Sequence, residues 1–316
     1  MTDYATAPVK VLKVKDSTFA YRLFGNQRHK SDPPLLLPPH FRGRLDFWDP
    51  ALINGIAAHR MLLLLDNQGF AVLAKEKKRG NTTTATTPSF KFWAEEIVSF
   101  ILFLGYKQID VLGFSMGGFI AQMIALEAAS AGLVVRRLIL AGTAPSQGPG
   151  VESGNVDYFQ NLASATTDGD LKVAFLAGFF GLSGERQRIG ERWWQRTTAP
   201  LTGPVVTTND IDGQITAMMR WNGLIHRDEG SYDRLPEIMC PTLVLGGLHD
   251  RLVPEQNSIL LWQRISAGAN SNVQLHIYPD SGHGFIFEFH DHCARLVNQF
   301  LGEEVHAKCD CEYCEY

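Results

Sequence analysis

A serine flanked by glycines, in V-L-G-F-S-M-G-G at residues 111–118, is the strongest candidate for chemistry in this chain. A serine hydroxyl is a weak nucleophile near neutral pH, so it needs a base beside it and donors for the oxyanion that forms. The spacing Gly113-x-Ser115-x-Gly117 follows an apolar strand-like run and precedes a helix-like run. This context is typical of a sharp strand-to-helix turn that exposes the serine, and the alternative is a glycine-rich turn holding an ordinary serine. Glycines at these positions remove side chains that would collide with the neighbouring strand and helix, and Gly118 allows still closer packing.

An aspartate and a histidine in later loops could activate this serine. His283 lies between glycines in P-D-S-G-H-G-F, just after a strand-like run, where its imidazole can reach back over a sheet. Asp250, in L-V-L-G-G-L-H-D-R-L-V-P, could orient that imidazole and stabilise its charged form. The order serine, aspartate, histidine is the one that accompanies such a turn. Three other histidines are assigned to a strand and the helix after it: His276, His290 and His292.

Two backbone N–H groups are the expected donors to the oxyanion. One belongs to Met116, immediately after the serine, and the other to Phe41, in a loop that leaves a strand near residue 38. Arg42 either anchors this loop or meets an anionic substrate, and anchoring is the favoured interpretation.

The elements that would position these residues alternate along the chain, which predicts an α/β fold with a mostly parallel sheet flanked by helices. Segments 8–15 and 17–24 alternate apolar and polar residues and predict an antiparallel hairpin. Six short apolar runs predict strands buried on both faces: 35–37, 61–65, 109–112, 138–141, 243–245 and 273–277. Helices are predicted at 90–105, 117–131, 255–266 and 288–301.

Between Thr143 and Pro236 the alternation stops, and helix-like patches punctuated by glycine and proline predict an inserted helical lid. We therefore divide the chain into three kinds of segment. The core has two parts, 1–145 and 236–303, the lid spans 146–235, and a flexible tail spans 304–316. Several aromatic residues could line a pocket or could simply pack the lid against the sheet: Phe114, Trp193, Trp194, Trp221, Phe175, Phe179 and Phe180.

The composition argues against several other classes of protein. The formal net charge is −4, and no basic cluster is long enough to hold phosphates, so no nucleic-acid partner is expected. The apolar runs are shorter than the roughly 20 residues of a membrane span, and no secretory signal is evident. Five cysteines, three of them in the tail, argue against a disulfide framework and for a cytoplasmic protein without a metal site. The basic, threonine-rich stretch at 71–88 is interpreted as a surface loop.

From about residue 15 to 302, the chain resembles the α/β-hydrolase superfamily, and most closely its small lid-bearing esterase, lactonase and cofactor-free haloperoxidase-like members. The resemblance rests on five segments: H-F-R-G-R-L-D-F-W-D-P, V-L-G-F-S-M-G-G-F-I-A-Q, R-R-L-I-L-A-G-T, Y-D-R-L-P-E-I-M-C-P-T-L-V-L-G-G-L-H-D-R-L-V-P and P-D-S-G-H-G-F-I-F. Two departures stand out. Pro39-His40 replaces the commoner His-Gly, and D-N-Q-G-F-A-V-L after the strand ending near Asp66 replaces a turn of small residues.

The residues and the resemblance together imply a serine hydrolase that needs no cofactor and acts on a small-molecule ester, lactone or thioester. The same side chains could instead pass the acyl group to peroxide or an alcohol, or cleave a carbon–carbon bond. A protein that binds a small molecule without turnover is the alternative from another class. The substrate and the oligomeric state are left open.

Overall fold

A single eight-stranded sheet forms the centre of the computed structural model, which describes residues 3–15, 17–27, 32–66, 87–181, 183–198, 208–223 and 229–302. The spatial order is β1-β2-β4-β3-β5-β6-β7-β8. The strands are β1 Lys10–Val14, β2 Ser17–Gly25, β3 Leu35–Leu37, β4 Met61–Leu65, β5 Gln108–Phe114, β6 Val134–Ala141, β7 Thr242–Gly247 and β8 Val273–Tyr278. The α/β fold with a mostly parallel sheet is confirmed. Residues 71–86 of the predicted surface loop and the tail at 304–316 lie outside the described ranges.

The two halves of the sheet differ in direction. β1 and β2 form the predicted antiparallel hairpin, with Lys10 opposite Tyr21, and β2 then pairs antiparallel with β4. From β4 to β8 every neighbouring pair is parallel. The central strands consist almost entirely of buried residues because helices cover both faces, as the uninterrupted apolar runs predict.

Helices follow most of the parallel strands. They are α1 Pro50–Ala57, α2 Phe90–Phe103, α3 Met116–Glu127, α8 Glu255–Ser266, α9 Phe285–Glu288 and α10 His290–Gly302. The helices predicted at 90–105, 117–131 and 255–266 are confirmed to within a few residues. The helix predicted at 288–301 corresponds to α10 to within two residues, whereas α9, which precedes it, and α1 were not predicted. Within the described ranges, no helix has the length and apolar character that a membrane crossing requires.

Helices make up most of the described chain between β6 and β7. They include α4 Val156–Ser164, α5 Asp168–Phe175, a π-helical turn Leu176–Phe180, α6 Gly184–Thr198 and α7 Thr208–Trp221. We call these elements the inserted helices. Parallel strands carry functional side chains at their carboxyl ends, and the loops after β3, β5, β7 and β8 meet there beside these helices. The exact boundaries of the core and lid segments remain a prediction.

Candidate active site

Ser115 sits in a strained turn between β5 and α3. Its backbone has φ 54° and ψ −126°, a combination that residues other than glycine rarely adopt. The Ser115 N–H donates to the carbonyl of Ala141 at 2.9 Å, and its own carbonyl accepts from Gly118 at 2.8 Å. These bonds hold a conformation that costs energy on its own, and such strain clusters at functional sites.

Each glycine of the motif has a steric reason. A Cβ atom on Gly113 would lie 2.5 Å from the Gly117 carbonyl oxygen, and one on Gly117 would lie 2.7 Å from the Pro38 carbonyl oxygen. A Cβ on Gly118 would overlap the side chain of Thr143, in the loop after β6. Side chains at these positions would push the turn away from both neighbours, which supports the steric interpretation of the motif.

His283 and Asp250 form a buried pair in the loops after β8 and β7. The imidazole Nδ1–H donates to Asp250 Oδ2 at 2.6 Å, and each side chain is only 1% exposed. The other carboxylate oxygen, Oδ1, accepts from the N–H groups of Leu252 at 2.9 Å and Val253 at 2.8 Å. Because the carboxylate can only accept, the proton of the neutral imidazole lies on Nδ1 and the lone pair on Nε2. The ring is therefore ready to act as a base through Nε2.

Ser115 and His283 border the same cavity, which has a volume of about 600 Å³. Most of its surface is apolar, with side chains from the inserted helices and the core: Phe41, Phe159, Leu162, Phe175, Phe179 and Ile215. Cavities of this size and character suit small organic ligands. Among the described residues, no cluster of three or more histidine, cysteine, aspartate or glutamate side chains is arranged to hold a metal ion.

The two proposed oxyanion donors, Phe41 and Met116, also border this cavity. Within the described chain, neither backbone N–H donates a hydrogen bond to another residue. Met116 is the first residue of α3, where N–H groups have no partner inside the helix and the helix dipole favours negative charge. Both N–H groups are thus free to receive an oxygen atom of a ligand.

Arg42 anchors the loop that carries Phe41. Its Nη1 donates to the carbonyls of Leu162 at 2.6 Å and Ala165 at 2.9 Å, and its backbone N–H donates to Gln214 Oε1 at 2.9 Å. Its φ of 58° turns the chain sharply at this point. The side chain is therefore engaged with the inserted helices, as the anchoring interpretation predicts.

Known proteins resemble this chain in sequence and in fold. A family model described as "Alpha/beta hydrolase family" matches residues 35–299. The chain belongs to this family. A 2-hydroxymuconate semialdehyde hydrolase of Pseudomonas putida is 29% identical over 67% of this hydrolase and 68% of its own length. A poly(3-hydroxyalkanoate) depolymerase of Ectopseudomonas oleovorans is 28% identical over 81% of this chain and 85% of its own length.

Solved structures resemble this hydrolase along nearly its whole length. An α/β-hydrolase fold protein from Chitinophaga pinensis superposes with a TM-score of 0.74 at 26% identity, covering 96% of this chain and all of that one. The enol-lactonase of Burkholderia xenovorans superposes with a TM-score of 0.66 at 19% identity, covering 93% and 100%, which shows a shared fold alone. Together the relatives indicate a general hydrolase activity.

Four aromatic residues predicted as possible pocket lining do not border the cavity of this hydrolase. Phe114 is fully buried, with its ring centroid 5.0 Å from that of His283. The other three pack the inserted helices against core rings, which was the alternative interpretation. Trp193 and Trp194 contact Phe47, and Trp221 stacks on Phe119: centroid distances are 5.9, 5.9 and 5.2 Å. Of the aromatics singled out, Phe175 and Phe179 do border the cavity.

Some residues of the cavity were missed at the sequence level. Ile215 and Met218, three residues apart on α7, present one apolar helix face to it, and only this spacing could have indicated them. His40 also borders it, and burial lowers the pKa of His40 to about 4, so its ring is neutral in the folded hydrolase at neutral pH.

Proposed function

We propose that this chain is a serine hydrolase that cleaves a small to medium, apolar ester, lactone or thioester through an acyl-enzyme. The observation that carries the proposal is the meeting of three groups at one apolar cavity. A serine held at positive φ and a histidine paired with a buried aspartate face a space bordered by two unengaged N–H groups. This arrangement supplies a nucleophile, a base and an oxyanion site, as acyl transfer requires.

The proposed reaction has two halves. In the first, Ser115 Oγ attacks the substrate carbonyl while His283 Nε2 takes its proton, and Asp250 stabilises the imidazolium. The N–H groups of Phe41 and Met116 receive the oxyanion. The carbon–oxygen or carbon–sulfur bond then breaks, and the imidazolium returns the proton to the leaving group. In the second half, His283 activates a water molecule that attacks the acyl-serine and frees the acid.

Labelling with a fluorophosphonate probe tests the nucleophile. Wild type should be modified at Ser115, and Ser115→Ala should lose both labelling and nearly all hydrolysis of p-nitrophenyl butanoate, because Ser115 is the serine that the strained turn holds at the cavity bordered by His283. Ser130→Ala removes an exposed serine and is the matched control. A folded wild type that is neither labelled nor active on a panel of esters, lactones and thioesters would contradict the proposal and favour a binding protein without turnover.

Carbon–carbon bond hydrolysis is the second candidate, favoured by the similarity to the 2-hydroxymuconate semialdehyde hydrolase. The substrate in that name carries a carboxylate, whereas the described lining of the cavity includes no arginine or lysine to pair with one. An uncharged ester therefore suits the described cavity better. Comparing kcat/KM for a neutral ester with that for a carboxylated dienone of similar size separates the candidates, and a preference for the dienone would overturn our assignment of the bond cleaved.

A further inference from the structure

The loop that carries His283, residues 279–284, is held by a hydrogen bond from its own serine. Ser281 is fully buried, and its Oγ–H donates to Glu288 Oε2 at 2.9 Å. Glu288 ends the short helix α9, and its side chain is 9% exposed. Burial raises the pKa of Glu288, and the bond from Ser281 and the charge of Arg186 oppose that rise. A carboxylate in this setting needs a cation close by.

Arg186, at the start of α6, supplies that cation. Its Nη1 donates to Glu288 Oε2 at 3.1 Å, and its Nη2 lies 2.9 Å from Asp280 Oδ1. One guanidinium thus contacts the helix after the loop and the loop itself. Asp280 has a φ of 51°, so the loop turns sharply where the guanidinium contacts it.

The inserted helices also contact the loop through the π-helical turn. The Gly284 N–H donates to the Phe179 carbonyl at 2.9 Å, and a Cβ atom on Gly282 would lie 2.7 Å from that oxygen. The Phe179 ring lies edge-on to the His283 ring at a centroid distance of 5.0 Å. Because the backbone contacts are this close, a shift of the loop would move the imidazole relative to the cavity.

We propose that Arg186 and Glu288 are positioning residues for His283: together they fix the 279–284 loop so that the imidazole stays on Asp250 and within reach of Ser115. The proposal rests on the proposed function, since it assigns His283 the role of base. Neither residue borders the cavity that Ser115 and His283 share, so both act through the loop and not on the substrate. They do border a second, more polar cavity of about 540 Å³, which Pro279, Asp280 and Gly282 of the loop also line.

Kinetics of variants at these two positions test the proposal. A misplacement of about 1 Å can cost about 10²-fold in rate, so we expect Arg186→Met and Glu288→Gln to lower kcat at least about tenfold, with KM within about twofold of wild type. Arg186→Lys should restore most of the loss because an ammonium can still meet both carboxylates. The double variant should lose little more than either single one, since both belong to one network.

The matched control is Lys172→Met, which breaks an ion pair of 2.7 Å with Glu191 elsewhere on the inserted helices. It should leave kcat unchanged. Circular dichroism at the assay temperature restricts the comparison to folded variants. Glu288→Gln, which preserves side-chain volume, carries the test if Arg186→Met does not fold. If Arg186→Met and Glu288→Gln both match the control in kcat, the proposal is overturned.

A second readout separates this proposal from the proposed function. The His283 Nδ1–H proton, hydrogen-bonded to a buried carboxylate, should give a low-field proton resonance that is absent in His283→Gln. In Arg186→Met this resonance should broaden and exchange faster with water, whether or not the protein turns over esters. If the wild type is inactive and not labelled, the proposed function fails, but the resonance still decides whether Arg186 holds the loop. If the resonance is unchanged in both Arg186→Met and Glu288→Gln, the positioning role is contradicted.

Discussion

Replacing Asp250 by asparagine should remove the function of His283 while keeping the shape of the site. The carboxylate has two different environments: Oδ1 faces the N–H groups of Leu252 and Val253, and Oδ2 faces His283 Nδ1. The asparagine oxygen will take the Oδ1 position, since only an acceptor satisfies two donors there. The amide NH₂ then faces Nδ1, so the imidazole must accept at Nδ1 and carry its proton on Nε2.

An imidazole protonated on Nε2 cannot take the proton of Ser115. Loss of the correct tautomer in a buried Ser-His-Asp arrangement costs about 10⁴-fold in kcat, which corresponds to about 5 kcal/mol of transition-state stabilisation. The effect on folding should be smaller, because asparagine has almost the same volume and keeps both backbone hydrogen bonds. Exchanging a charge-assisted hydrogen bond for a neutral one should lower the free energy of unfolding by roughly 1–2 kcal/mol.

The assay is hydrolysis of p-nitrophenyl butanoate by Asp250→Asn, with urea unfolding of the same samples. The chain offers a matched control in Asp291→Asn, because Asp291 pairs with His290 on the surface at 3.1 Å. The control should have wild-type kcat. If Asp250→Asn keeps more than about a hundredth of the wild-type kcat, His283 does not depend on this carboxylate for its tautomer, and our account of the site is refuted.

Three further outcomes follow from the packing and the charges. Gly118→Ala should lower the free energy of unfolding by about 1–3 kcal/mol, because its Cβ would overlap Thr143, whereas Gly184→Ala, with no atom within 4 Å of its Cβ, should not; urea titration compares them. Ile215→Trp should shrink the cavity and lower kcat/KM for octanoate esters relative to acetate esters by about tenfold or more; equal losses on both would show that the acyl chain does not lie there. The buried, neutral His40 has its pKa lowered from 6.5 to about 4, so the unfolded chain binds its proton first as the pH falls. The free energy of unfolding should therefore fall progressively below about pH 6.5, by about 1 kcal/mol between pH 7 and pH 5.5 because of this histidine. In urea titrations at these two pH values, His40→Gln should show a decrease smaller by that amount.

The strands of this fold were readable because burial on both faces leaves an unmistakable pattern. The leucine runs at 35–37 and 61–65 coincide with β3 and β4 because each residue in them needs an apolar environment. Helix α1 was harder to predict, although Asp49 caps it and Pro50 begins it. It is short and contains Gly55, whose missing Cβ makes room for Ala294 of α10. That reason is a tertiary contact, which local spacing does not report.

The candidate site was also predictable only in part from the sequence. The serine, aspartate and histidine each follow a strand in a recognisable loop, so their order could be predicted, but the cavity lining could not. Neighbouring residues on a helix point in different directions, and only the docking of the helix decides which face meets the cavity. On α6, docking is fixed partly by Arg196, which holds both carboxylate oxygens of Asp49, 147 residues earlier in the chain. Such a pairing leaves no local trace in the sequence.

The order of the strands also determines when the site can become reactive. A ribosome that has finished α7 has already made Ser115, Phe41 and Met116, but neither Asp250 nor His283. The last two strands, β7 and β8, join the sheet only at the β6 side, so the aspartate and histidine arrive after the rest of the sheet has been synthesised. Under the proposed function, a nascent or prematurely terminated chain therefore presents the serine without its base. On that proposal, metabolites would not acylate Ser115 before the cavity that His283 borders is complete.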